Sequence, residues 1–169
     1  MITLILGGAR SGKSSRALQL ARRSRKPVYF LATAEPADRE LRRRIALHRR
    51  QRPASWRTIE ESRRIPQRLA AVPRGATVIV DCLTLWIGRL TSDRVTANAI
   101  LHRTEQLCRT VRARRLRLIA VSNEVGSGVV PPTQLGRSFQ DVLGQVNQRV
   151  AAAAQRVELM VAGLPLRLK

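Results

Sequence analysis

Short apolar runs rich in β-branched residues alternate along the chain with stretches in which apolar residues recur every three or four positions. The first pattern marks a buried strand and the second an amphipathic helix. Taken in order, they predict a strand over 2–6, a helix over 13–24, a strand over 27–32 and a helix over 38–50. A polar stretch around Trp56 follows, then a helix near 62–72. Pro73-Arg74-Gly75 breaks the pattern before a strand over 76–81, a helix around 83–90, a long helix over 94–114 and a strand over 116–122. Phe139, Val142, Leu143, Val146 and Val150 set a helix over 138–155, and a strand over 157–162 closes the series. Alternation of this kind predicts an α/β fold, a mostly parallel sheet with helices on both faces. Such sheets bind ligands beyond the carboxyl ends of their strands, so the chemistry is expected there.

Composition narrows the class. A chain of 169 residues, 44% hydrophobic, is sized for a single domain with its own core. Cys82 falls in a strand-like pattern and Cys108 in a helical one, so a structural disulfide is not expected and a reducing, cytoplasmic setting is. No apolar run approaches the ~18 residues of a membrane span, and the stretch before the first glycine is too short for the apolar region of a secretion signal. Charge is the unusual part: 32 Lys and Arg against 11 Asp and Glu, a net +21, with all but three of the basic residues arginine. Such a surplus attracts polyanions in a salt-dependent, sequence-independent way. The arginines are spread over several predicted helices, however, and aromatic residues make up 3% of the chain, which leaves little for bases to stack on. Specific nucleic-acid recognition is therefore not expected.

Between the first strand and the first helix lies Gly7-Gly8-Ala9-Arg10-Ser11-Gly12-Lys13-Ser14, which fits the phosphate-loop pattern G-x-x-x-x-G-K-[ST]. Strand, glycine loop and helix is the context in which that pattern has mechanical meaning. Its glycines let backbone N–H groups and the helix N-terminus converge on phosphate oxygens. Lys13 then reaches the β- and γ-phosphates, and the Ser14 hydroxyl is a ligand for Mg²⁺. The run Thr77-Val78-Ile79-Val80-Asp81 ends a buried strand in a carboxylate, the Walker B arrangement, in which Asp81 holds Mg²⁺ directly or through water. The strand over 116–122 likewise ends in Asn123-Glu124, which either faces the ligand or caps the glycine-containing loop that follows.

In the helix over 38–50, Asp38 has the chemistry of an N-cap, and Leu41, Ile45 and His48 fall on one face at i, i+4 and i+7. Arginines at 42, 43, 49 and 50 flank that face. A histidine on an apolar face is ordinarily a packed core residue. His48 differs in its neighbours Arg44, Arg49, Arg50 and Arg52, which disfavour the imidazolium and would receive phosphates. A neutral imidazole among cations suits a nucleophile that attacks phosphorus. His102, in a helix of mixed polarity, suggests no chemistry.

These residues carry a resemblance that extends over nearly the whole chain. Besides the phosphate loop it includes Tyr29-Phe30-Leu31-Ala32-Thr33-Ala34, Arg44-Ile45 through His48 to Arg52-Pro53, Trp56-Arg57-Thr58 with Glu60, Asp81-Cys82-Leu83-Thr84, Ser122-Asn123-Glu124-Val125-Gly126, and Asn147-Gln148-Arg149 before the alanine run over 151–154. The chain resembles the bifunctional adenosylcobinamide kinase/adenosylcobinamide-phosphate guanylyltransferase family of coenzyme B12 assembly. The resemblance implies a RecA-like P-loop fold, Mg²⁺, ATP and GTP as substrates, and a homotrimer. It implies phosphorylation of the corrinoid adenosylcobinamide, then transfer of GMP through a guanylyl-histidine to give adenosylcobinamide-GDP. His48 falls on the guanylylated histidine and Lys13 on the phosphate-loop lysine. Nucleotide contacts fall on Gly7, Gly8, Ala9, Arg10, Ser11, Gly12, Lys13, Ser14, Ala32, Thr33, Ala34, Arg49, Arg50, Gln51, Arg52, Glu60 and Asp81. The chain departs from the family pattern at Pro131-Pro132-Thr133, where a carboxylate is common, and at Ser138-Phe139-Gln140-Asp141, where a further cation is.

Two other readings fit the phosphate loop: a basic P-loop ATPase that binds nucleic acid, and a small-molecule kinase without transferase activity. Neither has a use for a nucleophilic His48.

Overall fold

The computed structural model describes residues 1–35, 39–50 and 52–169, without the side chains of Glu40, Leu41, Arg44 and His48. Its seven strands are β1 (Ile2–Gly7), β2 (Val28–Ala32), β3 (Arg57–Glu60), β4 (Thr77–Asp81), β5 (Arg117–Val121), β6 (Arg156–Val161) and β7 (Leu164–Arg167). They form one sheet in the order β3-β2-β4-β5-β1-β6-β7. Every pairing is parallel except β6 with β7. The helices are α1 (Lys13–Arg22), α2 (Arg39–Arg50), α3 (Ile65–Ala71), α4 (Leu83–Ser92), α5 (Ala97–Ala113) and α6 (Gln134–Ala153).

The alternation of side chains along each strand divides the core in two. Leu4, Leu31, Val78, Val80 and Leu118 point to the face covered by α3, α4, α5 and α6, which contribute Leu69, Trp86, Leu107, Leu143 and Val146. Ile5, Phe30, Ile79, Ile119 and Val121 point to the other face, where α1 lays down Ala17, Leu18 and Ala21. β4, between β2 and β5, is buried on both faces, which is why it reads as an unbroken apolar run. Trp86 is the largest fully buried side chain, and its indole N–H donates to the Arg63 carbonyl at 3.2 Å. Trp86→Ala is expected to lower the unfolding free energy by about 3–5 kcal/mol, measured as a shifted urea midpoint at unchanged slope.

Most predicted elements are present with ends moved by a few residues. Two strands were not anticipated. β3 occupies the polar stretch after Trp56, and β7 adds an antiparallel edge. Both are edge strands exposed along most of their length, so neither shows the apolar alternation of a half-buried strand. β6 and β7 are joined by Ala162-Gly163, both with positive φ (49° and 84°), the combination a tight two-residue hairpin turn requires. The helix expected from 138 starts at Gln134, because Thr133 caps it by accepting from the Gly136 N–H at 3.1 Å. The helix expected from 94 starts at Ala97, after Arg94 takes a positive φ of 58° and Thr96 caps the first turn. Cys82 is not in a strand; it stands at the N-cap of α4, and both cysteines are free thiols. The proposed cap Asp38 lies outside the described residues. No helix among the described residues is long and apolar enough to cross a membrane.

Candidate active site

The parallel strands bring Gly7, Ala32, Glu60, Asp81 and Val121 to one edge of the sheet. The phosphate loop leaves β1 there and turns directly into α1. Gly12, the N-cap residue, has φ 96°, and a Cβ on it would stand 3.2 Å from the Gly163 Cα in the β6–β7 turn. A Cβ on Gly7 would stand 2.6 Å from Ser11 Oγ and 2.7 Å from the Met160 carbonyl. Both positions therefore require glycine. Among the described residues no side chain caps α1, so its first N–H groups are available to an anion. The helix itself is tied to β6 by Arg16, whose Nε and Nη2 each lie 2.9 Å from the Glu158 carboxylate. That carboxylate is 1% exposed, and hydrogen bonding to Arg16 holds it below the usual carboxylate range.

Lys13 is buried and folds back over its own loop, donating to the Gly8 carbonyl and, at 3.4 Å, to Ser11 Oγ. Burial lowers its pKa from the ordinary lysine value, and Asp81 is among the charges that pull the other way. Asp81 is thus close enough for its field to reach Lys13. The next residue, Cys82, has its thiol pushed up to about 11, chiefly by burial and then by Asp81. It stands as a neutral thiol, a poor nucleophile. Thr33 ties the ends of β2 and β4 together: its hydroxyl donates to the Cys82 carbonyl at 2.8 Å and accepts from the Cys82 N–H at 2.7 Å.

A cavity of about 370 Å³ opens at this edge. Of the residues expected at the site it brings together Ala9, Arg10, Lys13, Ser14, Ala32, Arg52 and Asp81. Phe30, Ile45, Cys82, Leu85, Val121 and Asn123 complete the wall. Asn123 and Glu124 divide the two roles the sequence left open. Asn123 lines the cavity, its backbone pinned by Thr84 Oγ1 on one side and Asn147 Nδ2 on the other. Glu124 turns its carboxylate onto the Gly126 N–H at 2.8 Å, capping the loop. That loop is held from α6 by Gln140, one of the positions at which the chain departs from the family pattern, through a 2.6 Å hydrogen bond to the Val125 carbonyl.

Ala34 and exposed Glu60 sit beside the cavity rather than in its wall, around a neighbouring cleft with Glu35, Glu61 and Ser62. In α2, Ile45 is half-buried against the cavity, while Arg42, Arg43, Arg49 and Arg50 are exposed, as the helical spacing predicts. His48 lies in the last turn of that helix, its side chain outside the described part, as is Gln51. His102 is exposed on α5 with the Gln106 amide against its ring. Phe30 and Leu85 were not legible as site residues. An aromatic in a buried strand and a leucine in an amphipathic helix both read as core, and only the fold shows where they surface.

A hydroxyl and one carboxylate, Ser14 and Asp81, on the wall of this cavity are hard oxygen donors of the kind Mg²⁺ takes alongside substrate phosphates and water. Among the described residues no three His, Cys, Asp or Glu gather into a cluster that would cage a metal by themselves. The residues present fit a nucleotide-borne Mg²⁺.

A phosphate loop after β1 and a strand-end carboxylate on β4, with β5 between them, define a P-loop NTPase of the RecA-like kind. Solved structures agree on the fold. A KaiC-like protein of Pyrococcus horikoshii superposes with a TM-score of 0.53 at 15% identity, over 94% of this chain and 69% of that one. The RadB recombinase superposes with 0.55 at 19% identity, over 94% and 73%. Within that class the chain belongs to the cobinamide kinase / cobinamide phosphate guanyltransferase family, whose model matches residues 3–168. It is 45% identical to the bifunctional adenosylcobalamin biosynthesis protein CobP of Pseudomonas aeruginosa, across 100% of this chain and 98% of that protein. It is 34% identical to the bifunctional adenosylcobalamin biosynthesis protein CobU of Escherichia coli and 35% identical to that of Salmonella typhimurium, each over the full length of both chains.

Proposed function

We propose that this chain, as one domain, performs both family reactions in succession from the single cavity. It phosphorylates adenosylcobinamide with ATP or GTP, then transfers GMP from GTP to the product through His48. The observation that carries the reading is the shared wall: the phosphate-loop residues Ala9, Arg10, Lys13 and Ser14, with Asp81, line the same cavity as Ile45 of α2 and Arg52. A triphosphate in the loop therefore extends toward the helix that carries His48.

In the kinase step the loop N–H groups and Lys13 hold the β- and γ-phosphates; the acceptor hydroxyl attacks the γ-phosphorus and gives up its proton to water, the P–O bond to the β-phosphate breaks, and the nucleoside diphosphate leaves. Positioning and charge stabilisation are what the protein contributes to such a transfer. Ser14 and Asp81 would hold Mg²⁺, which when bound offsets charge on the phosphate oxygens. In the transfer step a neutral imidazole nitrogen of His48 attacks the α-phosphorus of GTP. A P–N bond forms, the P–O bond to the β-phosphate breaks, and pyrophosphate leaves. A phosphate oxygen of adenosylcobinamide phosphate then attacks the same phosphorus, the P–N bond breaks, and the imidazole is regenerated. Cytoplasmic location and trimeric assembly belong to the same proposal; the exposed Leu164, Leu166 and Leu168 at the β7 end of the sheet are apolar surface that subunit packing would cover.

Asp81→Asn keeps the shape and removes the charge. Its expected result is a weaker apparent Mg²⁺ affinity and partial rescue of activity by excess Mg²⁺, read from activity titrations against the metal; identical titration curves would make Asp81 a structural residue. The two-step transfer is tested by a chase. Protein labelled from α-labelled GTP and freed of nucleotide should pass its label to adenosylcobinamide phosphate in the absence of GTP. Label that never leaves the protein would reject the covalent route.

A further inference from the structure

We infer that Phe30 is a positioning residue for guanylyl transfer: its ring fixes the Arg52 guanidinium at the α2 end of the cavity, where Arg52 meets the α-phosphoryl group of bound GTP. The inference rests on the nucleotide reading of the cavity given above.

Phe30 stands in the middle of β2, is 3% exposed, and shares the α1 face of the sheet with Ile79 and Ile119. Packing alone would explain an aromatic there. It is not all that the ring does, because Phe30 also contributes to the cavity wall, and the Arg52 guanidinium carbon lies 3.5 Å from the ring centroid. That is stacking contact, well inside the ~6 Å reach of a cation–π interaction. Arg52 is otherwise sparingly held. Its Nη1 donates to Thr58 Oγ1 at 3.3 Å, and its buried Nε has no acceptor among the described residues. Burial accordingly lowers its pKa from the ordinary arginine value, with Asp81 opposing. A half-buried cation with an unused buried donor is costly in a finished protein. In a binding cavity it is the complement of an anionic oxygen, and the ring face keeps it in place until that oxygen arrives.

Position then assigns the phosphate. Arg52 stands just past the end of α2 and Lys13 at the start of α1, on the wall of one cavity, and Lys13 is folded over the phosphate loop, so the two cations meet the triphosphate from different elements. Lys13 serves the β- and γ-phosphates held in the loop, which leave as pyrophosphate in the transfer step. Arg52 serves the phosphate nearest α2, the one His48 attacks. The Arg52 N–H donates to the Arg49 carbonyl at 3.2 Å, which fixes its backbone to the end of the helix that carries His48. Charge that builds on the α-phosphoryl oxygens during attack would meet a cation already in place.

The test compares the parent with Phe30→Leu, Phe30→Tyr, Arg52→Ala and the Phe30→Leu/Arg52→Ala double variant. The rate of covalent labelling from α-labelled GTP and the rate of γ-phosphoryl transfer to adenosylcobinamide are read on each. Phe30→Leu should slow labelling on the order of tenfold more than it slows γ-transfer, the reach of a desolvated cation–π contact. Phe30→Tyr should restore labelling, and Phe30→Leu should cost nothing further once Arg52 is alanine. Additive losses in the double variant, equal losses in both reactions, or parent-rate labelling by Phe30→Leu would each overturn the inference. Should thermal melts show Phe30→Leu unfolded, Arg52→Lys decides. Lysine keeps the charge but has no flat face to lay on the ring, so about tenfold slower labelling supports the stack and parent-rate labelling rejects it. A parent that takes no label at all would instead remove the transferase reading, and this inference with it.

Discussion

His48→Asn is expected to abolish covalent labelling by α-labelled GTP while γ-phosphoryl transfer to adenosylcobinamide continues. Asparagine approximates the size and polarity of the imidazole but has no basic nitrogen to attack phosphorus, so the P–N intermediate cannot form. In the proposed mechanism the kinase step draws on the phosphate loop, Ser14 and Asp81, none of which belongs to α2, and it has no covalent intermediate to lose. The chemistry of the other candidates supports this division. Cys82 is held as a neutral thiol by burial, and Lys13 donates to the Gly8 carbonyl and Ser11 as an ammonium, which has no lone pair for attack. Retention of label by a folded His48→Asn protein would put the nucleophile elsewhere. Loss of both reactions together would mean that α2 serves the kinase as well.

Lys13→Ala should have the second large effect, and it should reach both reactions. The ammonium is a full positive charge in a buried setting beside the phosphate-binding backbone, where field strength is greatest and water least able to substitute. Removing such a group costs roughly 10²-fold or more in turnover, and triphosphate affinity should fall with it. The fold should survive, because Lys13 forms no ion pair with another element among the described residues. Measured turnover near the parent's in a protein with an unchanged melting curve would reject the phosphate-loop assignment.

The parts of the structure legible in the sequence are those whose physics is local. β1, β2, β4 and β5 are buried on both faces and announce themselves as apolar runs. The phosphate loop is a contiguous motif, and Asp81 ends a strand whose neighbours are all apolar. β3 and β7 were hidden because an exposed edge strand has no buried face to pattern. The start of α6 was set by the Thr133 cap rather than by the apolar residues that begin at Phe139. In the site, Phe30 and Arg52 are far apart in sequence, and each has an ordinary explanation alone, core aromatic and surface cation. Only the neighbouring positions of β2 and the end of α2 make them a pair. The arginine surplus stays partly unexplained: several arginines form ion pairs around Glu35, Asp93 and Glu158, but nothing in the structure accounts for a net +21.

The proposed guanylyl transfer turns on one covalent bond, and one measurement reaches it directly. The protein is incubated with GTP and Mg²⁺, digested at alkaline pH, and its peptides are mapped by mass spectrometry for a GMP adduct. The account predicts a single modified peptide with GMP on His48, stable to alkali and lost on brief acid treatment as a phosphoramidate is. A GMP adduct on Lys13 or any other residue, an adduct that survives acid, or full transferase turnover with no adduct on His48 would contradict it.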